Sequence, residues 1–255
     1  MNMKNKNVVI FGVANERSIA WAIAKKLKSE GANVALSYLN DALKKRVEPL
    51  AEELGADFIF EMDVTKDDHY ERLPNIIQEK WKAVDTIVHS IAFADREDLK
   101  SGFVKTSRKG FSLACDISAF SLVGLSQSLL PLLNDGASII ALSYYGSQKV
   151  IKNYNVMGVA KAALEASARY LSYDLGEKGI RVNCISAGPV KTLAASGISG
   201  FRSLLNQVEE IAPLRSNISQ DDVAGTALYL SSDLSKKVTG QVLYVDSGLS
   251  IMGGF

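Results

Sequence analysis

The stretch NVVIFGVANERSIAWAIAKKLKSEGANVALSY, residues 7–38, decides the architecture. Asn7 to Val13 is an apolar, β-branched run without polar alternation, the pattern of a strand covered on both faces. Gly12 interrupts it near its end. Ser18 then stands where a helix cap is expected, and Ile19, Ile23 and Leu27 recur at four-residue spacing. Lys25, Lys26 and Lys28 take the other side, and Gly31 stops the helix. Asn33 to Tyr38 repeats the strand pattern. Strand, helix and strand at this spacing predict a right-handed parallel βαβ crossover.

The same signature continues downstream. Asp57 to Met62, Asp85 to His89, Ala137 to Ser143, Arg181 to Ser186 and Gln241 to Asp246 read as further strands. Ser219 with Asp222 forms a capping-box pattern ahead of Val223, Ala227 and Leu230. Alternation of this kind predicts an α/β fold, a Rossmann-type doubly wound parallel sheet of about seven strands, as one domain over 1–255. No internal repeat, low-complexity tract or linker divides the chain.

With 255 residues and 47% hydrophobic composition, the chain can bury one sizeable core. Its 29 basic and 28 acidic residues leave a formal charge of +1, which supplies no global field for nucleic acid or an anionic membrane. Cys115 and Cys184 are widely separated and lack the spacing of a disulfide framework or metal site. Lys4 and Lys6 before the run Val8 to Ala14 imitate a secretion signal, but Glu16 and Arg17 break it at once. No apolar stretch approaches the roughly 20 residues of a membrane span. A soluble, cytoplasmic protein without nucleic-acid or membrane partners is therefore expected. His69 and His89 show no metal or triad pattern, and His89, ending a strand, reads as structural.

A dinucleotide cleft needs a tight turn after the first strand, so that a pyrophosphate meets the N–H groups opening the next helix. Gly12 supplies such a turn, although the usual Gly-x-Gly-x-x-Gly spacing is replaced by Gly12-Val13-Ala14-Asn15-Glu16-Arg17-Ser18. At the end of the second strand, Ser37, Tyr38, Leu39 and Asn40 include no cation to meet a 2′-phosphate, so NADH is expected over NADPH. Lys44, Lys45 and Arg46 lie further along. Tyr145 and Lys149 match Tyr-x-x-x-Lys, but they fall in the turn directly after a strand. Tyr154 and Lys161 are two helical turns apart, roughly 10 Å along one helix face. That spacing suits a phenol at a reacting carbonyl and an ammonium at a ribose. Between Ala187 and Gly200, the small-residue sequence AGPVKTLAASGISG reads either as a long surface connection or as part of a mobile substrate lid at about 190–208.

Gly12-Val13-Ala14 followed by Ser18-Ile19-Ala20-Trp21, and Tyr-x6-Lys within Asn153 to Lys161, resemble the enoyl-acyl-carrier-protein reductases of the short-chain dehydrogenase/reductase superfamily. Ser186-Ala187-Gly188-Pro189, and Val238-Thr239-Gly240-Gln241 leading to Val245-Asp246-Ser247-Gly248, extend the resemblance over nearly the whole chain. It implies cofactor contacts at Gly12, Ala14, Ser18, Ile19, Asp63, Val64, Ser90, Ile91, Lys161, Val190 and Thr192. Asp63 would face the adenine amine, and Thr192 the nicotinamide carboxamide or a phosphate. It implies substrate contacts at Ala92, Tyr144, Tyr154, Met157 and Ala194, with Tyr154, Lys161 and Tyr144 catalytic. The implied reaction is reduction of a trans-2-enoyl thioester by NADH, in fatty acid biosynthesis, by a homotetramer whose partner is acyl carrier protein. One departure is that Arg202 stands among Ser199, Gly200 and Ser203, where members of that family often carry several cations around the lid for the acidic partner. Two rivals are a ketoreductase built on Tyr145 and Lys149, and a non-catalytic NADH-sensing regulator.

Overall fold

The computed structural model describes residues 2–192, 195 and 200–253. Seven strands, β1 (Asn7–Phe11), β2 (Asn33–Tyr38), β3 (Phe58–Glu61), β4 (Val84–His89), β5 (Leu133–Ser143), β6 (Arg181–Ala187) and β7 (Val242–Val245), form one sheet. Its order is β3-β2-β1-β4-β5-β6-β7, and every neighbouring pair is parallel. This is the doubly wound sheet expected from the alternating pattern. The connection order reverses between β1 and β4, and the crevice beyond their carboxyl ends is where such folds take ligands.

The helices α1 (Ile19–Ser29), α2 (Asp41–Leu54), α3 (Asp67–Gln78) and α4 (Arg96–Lys100) precede a longer apolar run. That run comprises α5 (Arg108–Cys115), a single π-helical turn at Asp116–Phe120 and α6 (Ser121–Leu129). Then come α7 (Val156–Asp174), α8 (Phe201–Ile211) and α9 (Gln220–Ser231). One side of the sheet packs Phe11, Ile87 and Ile139 against Leu73, Leu122, Leu125 and Leu164 of α3, α6 and α7. The other packs Val8, Ile10 and Leu36 against Ile23, Leu27, Val223 and Leu230 of α1 and α9. Each of these apolar side chains is removed from water, which stabilises the fold by about 1.5–3 kcal/mol per residue before the entropy of ordering is counted.

Several local expectations change. β1 stops at Phe11 rather than Val13, because Gly12 takes φ +102°. Ser18 occupies the cap position of α1, but its hydroxyl turns back to accept from the N–H groups of Ala14 and Asn15 (3.1 and 3.2 Å). The capping box at Ser219 and Asp222 forms as expected. Arg108–Leu132 is a 25-residue helical run long and apolar enough, by length and composition, to cross a membrane, contrary to the expectation that no stretch approaches that length. Half of its apolar window is buried within the fold, with Leu122, Leu125 and Leu129 fully enclosed. Cys115 and Cys184 are both free thiols.

Candidate active site

The floor of the crevice is the meeting of β1 and β4. The Ser90 N–H donates to the Phe11 carbonyl at 3.0 Å, and a Cβ at Gly12 would overlap the Ser90 carbonyl oxygen. Only glycine fits there. The Ser18 hydroxyl folds the Ala14–Asn15 loop, and the first turn of α1 receives no side-chain cap. Uncapped N–H groups at a helix start beside a glycine turn are a donor set for a pyrophosphate. The residues present therefore fit a dinucleotide.

Other residues frame the same cleft. Val64 is buried beside it, and the Asp63 carboxylate accepts from the Thr65 N–H (3.0 Å) and hydroxyl (2.7 Å). Burial pushes the Asp63 pKa up, but the two Thr65 hydrogen bonds and Lys66 outweigh it and hold the carboxyl below its ordinary value. Asn40 accepts from the Leu43 N–H as the cap of α2, and Lys44 lies over the Tyr38 ring. Lys45 and Arg46 line a shallow cleft with Asn15 and Glu16. The sequence did not single out Gln220, whose amide donates to the carbonyls of Arg17 (2.9 Å) and Lys191 (3.0 Å). It ties the loop after β1 to the segment after buried Val190. The Thr192 hydroxyl accepts from the Ala195 N–H at 3.1 Å. Of the expected lid at about 190–208, Leu193, Ala194 and residues 196–199, and the side chains of Phe201 and Arg202, lie outside the described residues. Within that range, α8 is a helix with Leu205 and Val208 buried.

The chemical end sits beyond β5. Lys161, on α7, is 6% exposed and donates from Nζ to the Leu142 carbonyl at 2.6 Å. Burial lowers its pKa to about 8, with Cys184 and Glu165 opposing the shift. Tyr154 is not on the helix face assigned from its spacing. It precedes α7, in a turn where Asn153 and Asn155 both take positive φ (65° and 42°). Asn155 is held there because its amide donates to the carbonyls of Leu99 (2.9 Å) and Ser101 (2.7 Å). The chain thus enters the helix late, and Tyr154 is aimed by the turn.

The Tyr154 ring meets Tyr144 edge-on, with centroids 4.8 Å apart. A Cβ at Gly146 would overlap the Tyr154 ring, so the turn after β5 packs directly beneath it. Burial, with Tyr144 and Glu165 nearby, pushes the Tyr154 pKa well above the ordinary phenol value, and burial raises Tyr144 to about 12. Both phenols therefore carry their protons at neutral pH and can donate hydrogen bonds.

The rival pair separates. Tyr145 turns away, donating from its hydroxyl to the Ser250 carbonyl at 3.0 Å and packing on Tyr244, while Lys149 is exposed. His89 is buried with Nε2 2.7 Å from the Ser121 hydroxyl, and burial together with Lys161 lowers its pKa to about 3. It is a neutral packing residue. The π-helical turn supplies a further side chain unnoticed in the sequence. Ser118 exchanges hydrogen bonds with the Phe93 N–H (3.0 Å) and carbonyl (3.2 Å), next to Ile91 and Ala92, and lies 3.9 Å from the Met157 sulfur. The bulge lets one hydroxyl brace the loop after β4 against the Tyr154 segment.

Comparison with known proteins agrees with this geometry. The family described as enoyl-(acyl carrier protein) reductase matches residues 12–250. The chain is 52% identical over 251 residues to an enoyl-acyl-carrier-protein reductase (NADH) of Rickettsia typhi, covering 98% of this chain and 96% of that protein. It is 53% identical to one of Rhizobium meliloti, covering 98% and 92%. The enoyl-acyl carrier protein reductase of Bacillus cereus, solved with NADP+ and an indole naphthyridinone, superposes with a TM-score of 0.97 at 46% identity, covering all of both chains. That of Anaplasma phagocytophilum, solved with NAD, gives 0.94 at 45% identity, covering 99% of this chain and 94% of that one. With the match spanning the cleft, the Tyr154 turn and the last strand alike, the chain belongs to the enoyl-acyl-carrier-protein reductase family.

Proposed function

We propose that this protein reduces the trans-2 double bond of enoyl-acyl-carrier-protein thioesters with NADH, in fatty acid biosynthesis. The observation that supports the reading is the edge-on pair of buried, protonated phenols Tyr154 and Tyr144, with Lys161 buried on the helix that follows and bonded to the Leu142 carbonyl near the end of β5. Gly12, Ala14, Ser18, Ile19, Asp63, Val64, Ser90, Ile91, Val190 and Thr192 frame the cofactor, and Lys161 holds its ribose hydroxyls. Bound there, reduced nicotinamide supplies a hydride to the β carbon of the enoyl group. Tyr154 donates a hydrogen bond to the thioester oxygen as negative charge develops on it, which typically contributes a few kcal/mol, and the resulting enolate takes a proton at the α carbon, from Tyr154 or from water relayed along Lys161, to give the saturated thioester. Ala92, Tyr144 and Met157 border the acyl chain on this reading. Steady-state rates of NADH loss with crotonyl and acetoacetyl thioesters test the reading. Consumption with the crotonyl compound is expected. Consumption with only the acetoacetyl compound would favour the ketoreductase, and none with either would favour the regulator.

The absence of a cation at 37–40 supports NADH over NADPH. Asn40 caps α2 and is best left alone. Leu39→Arg, at a position 42% exposed, is expected to shift the ratio of specificity constants toward NADPH about tenfold, through one charge-assisted contact. Equal ratios in variant and parent would remove this account of cofactor choice.

A homotetramer is supported by two apolar clusters. Phe111, Phe120, Tyr170 and Tyr173 are exposed on α5, the π-helical turn and α7, and Tyr244, Ile251 and Met252 are exposed at and beyond β7. Two faces that each pair with their own copy about a two-fold axis generate a closed tetramer. Tyr173→Glu is expected to yield dimers in light scattering, and an unchanged mass would place the interface elsewhere.

A further inference from the structure

Glu165 is a buried acid that neither the sequence motifs nor the mechanism uses. It lies on α7 one turn beyond Lys161, is 4% exposed, and has no salt-bridge partner among the described residues. Its Oε1 accepts from the Ser143 hydroxyl at 2.6 Å and from the Ser147 hydroxyl at 2.7 Å. Those serines bracket Tyr144, Tyr145 and Gly146, the turn on which the Tyr154 ring rests. A buried acid is costly unless its acceptors are satisfied, and a polar group kept in such a place fixes geometry.

Resting on the enoyl-reductase reading above, we propose that Glu165 is a positioning residue. It pins the turn 144–147 to α7, so that Tyr144 and Tyr154 hold their edge contact. Its charge also reaches the site. Lys161 and Tyr154 on the α7 segment, Cys184 on β6 and Tyr244 on β7 each feel it, and His89 on β4 faces Lys161 from the other side. Glu165 raises the Lys161 and Tyr154 pKa values alike, so its neutralisation lowers both.

Two variants separate the roles. Glu165→Gln retains an oxygen able to accept from both serines but removes the charge, whereas Glu165→Ala removes both. For Glu165→Ala, kcat with a crotonyl thioester is expected to fall about tenfold while NADH affinity stays within about twofold, because the phenols shift and the ribose lysine does not. For Glu165→Gln, kcat at neutral pH should remain near the parent value, and the alkaline limb of kcat/KM should move to lower pH by about half a unit or more. If Glu165→Ala does not fold, the limb of Glu165→Gln decides. An unmoved limb in Glu165→Gln, or parent-like kcat in folded Glu165→Ala, would overturn the proposal. Turnover by the parent protein reports separately on the enoyl-reductase reading, so the two failures cannot be confused.

Discussion

Lys161→Ala is expected to lower NADH affinity about tenfold to a hundredfold, and Lys149→Ala to leave it nearly intact. Charge-assisted hydrogen bonds of roughly 1.5–3 kcal/mol are lost in the first case. In the second, an exposed side chain beyond the turn after β5 is shortened. Truncation at 161 also strips the Leu142 carbonyl of its donor, so thermal melting must first show a folded protein. The pH sense follows from the lowered Lys161 pKa. The ammonium is present below about pH 8 in the empty site and is lost as pH rises through that value, so NADH affinity should weaken on the alkaline side. Fluorescence titration would read both effects. Loss of NADH binding in Lys149→Ala rather than Lys161→Ala would return the site to Tyr145 and Lys149.

Tyr154→Phe should lower kcat about a hundredfold while leaving NADH affinity and KM close to those of the parent. The phenol is held protonated by burial, so its contribution is a hydrogen bond present from acid through neutral pH. The ring contact with Tyr144 and the packing over Gly146 survive the substitution, which keeps the loss specific to the hydroxyl. A variant that retains parent kcat would show that the oxygen of the substrate is stabilised elsewhere.

The sheet was legible because its strands are buried on both faces and therefore lack polar alternation. Val8, Val9, Ile10 and Phe11 announce β1 without any tertiary information. Crevice residues such as Gly12 were legible for a similar reason, since the close approach of Ser90 admits no side chain. The placement of Tyr154 was only half legible. Seven-residue spacing implies a shared helix face, but the Asn155 amide bonds to the carbonyls of Leu99 and Ser101, which are distant in sequence, delay the start of α7. Ser118, Glu165 and Gln220 left no sequence signal for the same reason. Their partners, Phe93, Ser143 with Ser147, and Arg17 with Lys191, are brought to them only by the finished fold. Ser18 shows the converse error, a good cap residue used for a loop instead.

Reduction of a crotonyl thioester with NADH deuterated at the transferable position of the nicotinamide tests the central claim most directly. The account predicts a butyryl thioester carrying one deuterium at the β carbon, at a rate cut about a hundredfold by Tyr154→Phe. Deuterium found only at the hydroxyl-bearing carbon of a reduced 3-ketoacyl thioester, with the crotonyl compound untouched, would contradict it.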